Sequence, residues 1–392
     1  MRMRNTALAL LVMAAGVASA QVAAGNVAEN EKTLFERIAK IENKNDKFNL
    51  FFNMHYAFDA NFTSGNFDQG AFNMRQFRIE AKGRVTDWLS YRWRQRLNRD
   101  NAGGGMIDNL PNSIDIASLT FGVTDKFSIS AGKQCAAYGG IEYDLNPIEI
   151  YQYSEIINNM SNFMSGVMFT YDFTPNQQLA FQVLDSRNDS IEDTYGNNLA
   201  ANKLPLVYTL NWNANMFGGV WQTRWSASVM DEVKGKYMYY VALGNQLNFS
   251  SKCNMFVDLM SSYENIDRKG IMTNMLGGQA NFNGHNMYNT LYNSLVAKVN
   301  WRFQPKWNFF VKGMLESAAI YGGKDGYADG NYRTSVGYLA GVEYYPMESN
   351  LHLFLTFVGQ SHLFTERAKA LGQSDCSTQR VSLGFIYQLP AF

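Results

Sequence analysis

The sequence predicts an all-β fold, a transmembrane antiparallel up-and-down β-barrel of about sixteen strands. Three observations carry that prediction. Between Phe52 and Leu389, stretch after stretch alternates apolar and polar residues with period two, giving each one lipid-compatible and one wet face. The links between stretches alternate between short and long, as tight turns on one rim and generous loops on the other require. After the N-terminal segment no run of eighteen apolar residues occurs, which excludes membrane-spanning helices.

The elements follow in chain order. Residues 1–20 read as a secretory signal, with Arg2 and Arg4 in a basic n-region, an apolar run over 7–17 and a small-residue site ending at Ala20, after which cleavage is expected. Export of this kind places the chain in the outer membrane of a Gram-negative bacterium. Residues 21–47 read as a periplasmic helical leader. In it Val27, Leu34 and Ile41 fall seven apart with Ile38 between, which suits a short coiled coil, an amphipathic helix under the barrel, or a frayed leader.

The barrel is expected over 48–392. In the first strand Phe52, Met54, Tyr56, Phe58 and Ala60 share one face, and Asn53, His55, Ala57, Asp59 and Asn61 the other. The second sets Phe77, Ile79, Ala81 and Val85 against Gln76, Arg78, Glu80, Lys82 and Arg84. The third sets Leu89, Tyr91, Trp93 and Leu97 against Arg92, Arg94, Arg96 and Asn98. Similar ladders recur at 119–123, 127–131, 167–173, 179–183, 204–212, 221–229, 237–243 and 255–259. The last five run over 295–303, 307–315, 336–344, 351–357 and 381–389.

Short turns fall at 86–87, 124–126, 174–176, 214–218, 248–252, 304–306 and 346–350, and the longest links at 136–163 and 264–289. Only 231–235 breaks the rhythm. The final ladder leads to Phe392, resembling the C-terminal strand signal read by the barrel assembly machinery, although Pro390 shifts the last aromatic out of register.

Composition agrees. Mean hydropathy is −0.26 because apolar and polar residues alternate, and 14% aromatic residues suit interfacial girdles. The 34 basic residues equal the 34 acidic ones, and losing Arg2 and Arg4 leaves 32, so no global charge points to nucleic acid. Cys135, Cys253 and Cys376 lack metal-ligand spacing, and no cofactor or metal site is expected. Asp325, Asp329 and Asn331 lack the spacing and closing Glu of a calcium loop. His55, His285, His352 and His362 are scattered, so no catalytic site is expected.

Sixteen strands about 4.8 Å apart and tilted about 40–45° enclose a width of roughly 33 Å, more than inward side chains fill. A water-filled channel follows, narrowed by the long loop over 136–163. Its wall carries a basic strip, Arg78, Lys82, Arg84, Arg92, Arg94 and Arg96. Like charges roughly 7 Å apart repel by about 0.6 kcal/mol in water and about fourfold more at a dielectric of 20, so such a row suits a wall screened by water or anions. The strip either attracts anions or stiffens the wall by pairing with lumenal acids such as Glu80, Asp172, Glu316 or Glu343. Between Gln134 and Ser186 there is no Lys or Arg, while Glu142, Asp144, Glu149 and Glu155 are present. These constriction-loop acids either face the strip across a transverse field or anchor the loop to the wall.

The arginine-rich block over 77–98, then 123–133, Tyr138-Gly-Gly-Ile-Glu-Tyr-Asp144 and Ile148-Glu-Ile-Tyr151, is similar to the phosphate-selective porin O and P family in its Bacteroidetes branch. The resemblance covers nearly the whole mature chain and is most specific over 126–153. It implies a sixteen-stranded homotrimeric porin in which Arg92, Arg94 and Arg96 correspond to an arginine ladder. The basic constriction of phosphate-selective members has no counterpart in this acidic loop, so phosphate selectivity does not follow. The expectation is a passive channel for small hydrophilic solutes, anionic or neutral, with mild anion preference. The alternative is an adhesin or structural barrel with partner-binding loops.

Overall fold

The computed structural model describes residues 47–99, 108–323 and 326–391. The signal peptide ending at Ala20, the leader expected over 21–47 except Lys47, and Phe392 lie outside the described residues.

Sixteen strands form one closed antiparallel barrel. The first eight are β1 (Asn49–Thr63), β2 (Asn66–Thr86), β3 (Leu89–Arg96), β4 (Ile114–Gly122), β5 (Phe127–Cys135), β6 (Phe163–Thr174), β7 (Gln177–Asp185) and β8 (Leu206–Met216). The others are β9 (Trp221–Asp231), β10 (Tyr237–Ser250), β11 (Cys253–Ile266), β12 (Tyr288–Gln304), β13 (Trp307–Ile320), β14 (Gly330–Tyr344), β15 (His352–Phe364) and β16 (Cys376–Pro390). Each strand pairs with its sequence neighbours, and β1 closes on β16 from Phe51 opposite Pro390 to Thr63 opposite Thr378. Closure leaves no backbone edge to desolvate in lipid.

All sixteen ladders read from the sequence are strands. One hairpin extends beyond the alternating stretches: β1 and β2 continue through 62–75 and meet at Ser64-Gly65, both with positive φ. That backbone suits a two-residue hairpin turn. Register slips at His55/Tyr56 and Asn61/Phe62 interrupt the sequence alternation there, while Phe67, Phe72 and Met74 keep the outer face apolar.

The outer face is apolar and rimmed with aromatics. Trp88, Phe217, Trp301 and Trp307 stand exposed near the short turns, and Tyr237, Tyr239 and Tyr321 near the long-loop rim. Asn245 is satisfied on the outer face by the indole N–H groups of Trp221 (3.1 Å) and Trp225 (3.2 Å). The inner face is not apolar-free. Phe256, Phe310, Phe354 and Tyr240 point inward and pack against Tyr138, Ile148, Ile156 and Ile157 of the loop over 136–162. The hydrophobic core of this barrel thus lies between loop and wall.

Candidate functional site

The register of β2 and β3 builds the basic strip. Arg78 lies opposite Arg96, Glu80 opposite Arg94 and Lys82 opposite Arg92. Directly opposed like charges repel, and two carboxylates hold them together. Asp115, 1% exposed, takes Arg96 Nε at 2.8 Å and the Nε atoms of Arg78 and Arg94 at 3.4 Å each. Glu80 takes Arg92 Nε at 2.8 Å. The guanidiniums of Arg94 and Arg96 also lie 5.2 Å and 5.6 Å from the centre of the Phe163 ring. Four of the six basic side chains therefore share two carboxylates, Arg84 stands exposed, and Arg92 remains 47% exposed to the lumen. Further along β2, Arg75 pairs with Asp59 of β1, and Arg380 of β16 donates to the Tyr151 carbonyl at 2.7 Å.

Asp115 escaped the sequence reading for a physical reason. The β3–β4 register slips between Arg94 and Gln95, and Asp115 sits at that slip, outside the strict alternation used to assign faces. The acids named beforehand divide differently. Glu80 belongs to the strip, Asp172 accepts from Gln178 at 2.9 Å, and Glu316 and Glu343 bond the loop instead.

The loop over 136–162 leaves β5 and touches lumenal side chains from β7 round to β1. The Ala137 amide donates to Gln182, and the Gly140 amide to the Arg224 carbonyl. The amides of Ile141 and Glu142 both donate to Asp258, at 2.8 Å and 2.7 Å. The Tyr151 hydroxyl donates to Glu343 at 2.8 Å, and the Glu155 amide to Glu316 at 2.8 Å. Glycine permits this closeness: a Cβ on Gly244 of β10 would stand 2.7 Å from Gly140 Cα and from the Ile141 nitrogen.

The four loop carboxylates turn to that wall. Glu142, fully buried, pairs with Lys312 and accepts from the Ser154 hydroxyl at 2.7 Å. Asp144 takes Arg224 Nε at 2.9 Å. Glu149 lies 3.8 Å from His352 Nε2; burial raises its carboxyl and His352 draws it back down. Glu155 pairs with Arg333 and accepts from the Ser335 hydroxyl at 3.0 Å. Among the described residues none of the four bonds to the basic strip. The group the loop brings toward the strip is Tyr153, whose phenol burial raises and the charge of Arg78 lowers.

Ser335, His362 and Glu155 cluster without forming a relay. The Ser335 hydroxyl meets His362 Nδ1 at 2.8 Å, and Glu155 approaches the same nitrogen at 3.6 Å, whereas a triad uses both ring nitrogens. No group of three or more metal-ligating side chains occurs among the described residues.

Comparison with known proteins agrees with this geometry. The model of a family described as phosphate-selective porin O and P matches residues 48–389. No curated protein matches in sequence. Among solved structures, the outer membrane channel DcaP of Acinetobacter baumannii superposes with TM-score 0.58 at 12% identity, covering 87% of this chain and 97% of that one. An anion-selective porin from Comamonas acidovorans gives TM-score 0.53 at 9% identity, covering 88% and 99%. The trimer form of OmpT, an outer membrane protein of Vibrio cholerae, gives 0.52 at 11% identity, covering 87% and 100%. At these identities the likeness is one of fold.

Proposed function

The chain belongs to the phosphate-selective porin O and P family and forms an outer-membrane channel; from that premise we propose that it passes small hydrophilic solutes passively, anionic or neutral, with a mild preference for anions. One observation carries the preference. Among the described residues the strip presents Arg78, Lys82, Arg84, Arg92, Arg94 and Arg96 against only Glu80 and Asp115, while each loop carboxylate is matched by a wall residue. A passing ion therefore meets an excess of positive charge on one side and largely paired charge on the other.

In this reading the loop over 136–162 is a constriction fixed to the far wall, and the open path runs between it and β2–β3. Family membership and fold give no ground for assigning catalysis. The remaining parts of the proposal are export by a signal cleaved after Ala20, assembly read from the strand ending at Phe392, and a homotrimer, as the OmpT trimer form suggests.

Planar bilayers test the reading. Stepwise conductance with a reversal potential of anionic sign under a salt gradient is expected. Absence of conductance steps would leave the adhesin or structural barrel standing, and a cation preference would remove the role given to the strip. Cross-linking in native membranes should give a trimer ladder; a monomer would refute that assignment.

A further inference from the structure

Above the loop, on the long-loop side, a cavity of about 390 Å³ opens between the loop, the 271–275 helix, β14, β15 and the chain near Gln373. Its volume falls within the range of small-molecule sites. Its chemistry differs from that of the basic strip. Six carboxamides line it: Gln152, Asn158, Asn159, Asn274, Gln360 and Gln373. Its two charged residues, Arg333 and Glu155, are paired with each other.

The amides divide into fixed and free. Gln360 donates to Glu155 at 3.2 Å, Gln373 to the Met275 carbonyl at 2.7 Å and Asn159 to the Glu155 carbonyl at 2.9 Å, so these hold the rim in place. Asn158 and Asn274 are exposed to the cavity from two different segments, and neither side chain makes a hydrogen bond to described residues. Tyr153 and Phe364, both half-buried, line the same cavity and supply its aromatic surface.

We infer that this vestibule is a binding subsite for neutral, hydroxyl-rich solutes, of the size and chemistry of a short oligosaccharide. A carboxamide offers both donors and an acceptor, which matches a hydroxyl that is itself both. A bare anion finds its cation already paired with Glu155, and a bare cation finds its carboxylate already paired with Arg333. Ring faces beside amides suit the apolar C–H faces of a sugar. The inference deepens the channel reading and rests on it: the strip sorts ions, whereas the vestibule collects uncharged solutes before the constriction.

The test is block of the ion current in planar bilayers holding oriented full-length channels, with a neutral trisaccharide as probe. Saturable block is expected from the long-loop side only. Asn158→Ala with Asn274→Ala should weaken it at least tenfold, and Phe364→Ala should weaken it while conductance persists. Conductance without block, block equal from both sides, or block unchanged in the double variant would each overturn this inference alone. Absence of conductance in parent and variants would overturn the channel reading, and this subsite with it.

Discussion

Replacing Arg92, Arg94 and Arg96 together by glutamine (R92Q/R94Q/R96Q) should cut anion preference by an amount that depends on salt. The fold should tolerate it, because Arg78 remains to hold Asp115 and the glutamines stay polar. A unit charge about 10 Å from a passing ion is worth about 0.4 kcal/mol in water before screening. At 0.1 M salt a Debye length of about 10 Å reduces this to about 0.15 kcal/mol, and at 0.01 M one of about 30 Å leaves about 0.3 kcal/mol. Three charges act with opposite sign on anion and cation, so the selectivity difference is about 0.9 kcal/mol at the higher salt and about 1.8 kcal/mol at the lower. At 1.36 kcal/mol per tenfold these are about fivefold and about twentyfold changes in the anion-to-cation permeability ratio. The assay is the reversal potential across matched tenfold gradients at both ionic strengths. A change under twofold at low salt, or one that does not grow as salt falls, would refute the assignment of the strip as the selectivity element.

Three further perturbations probe the loop and its surroundings. Lys312→Met leaves the fully buried Glu142 without its partner and should cost about 3–5 kcal/mol locally. The temperature at which the barrel loses its folded gel mobility should fall, E142Q/K312M should recover most of it, and no recovery would deny the pair its anchoring role. Gly244→Val places side-chain atoms where the backbone of Gly140 and Ile141 now lies, so the loop must lift from β10. Single-channel conductance should rise with added flicker; an unchanged trace would mean the loop does not narrow the path. In the link after β11, burial and then the charge of Glu264 push the Asp267 carboxyl up to about 6. The folded state thus holds a proton that the unfolded chain releases near pH 4, and stability from this group falls as pH rises through about 4 to 6. Protease cleavage within 267–287 should therefore be slower at pH 5 than at pH 7.5, and D267N should flatten the difference.

The barrel was legible because lipid imposes a two-residue period on every strand it touches. A register slip interrupts that period, and so the first two ladders end at Asn61 and begin at Gln76 although β1 and β2 pair to Ser64-Gly65. The strip was legible for the same reason, since Arg78 to Arg84 and Arg92 to Arg96 keep strict alternation. Its partner Asp115 was not, because the register slip beside Arg94 removes the alternation that assigns a face. Nor could local pattern find Lys312, Arg224 or Arg333. Each lies 80 or more residues from the loop carboxylate it meets, and only barrel closure brings it across the lumen.

That distinction decides what the pore feels. Counted along the chain, the loop is acidic and the strip basic, which leaves open whether the two form a transverse field or the acids anchor the loop to the wall. Counted in space, the loop carboxylates are matched by Lys312, Arg224, Arg333 and, when protonated, His352. A paired charge contributes little field beyond the length of the pair, so on the proposed reading the loop would act on solutes through its shape and through Tyr153. The strip keeps its excess because Glu80 and Asp115 cannot offset six cations, and Arg78 and Arg94 remain crowded about one carboxylate. In the proposed reading selectivity resides in the wall that carries unmatched charge, and a charge swap in the loop should alter stability before it alters which ions pass.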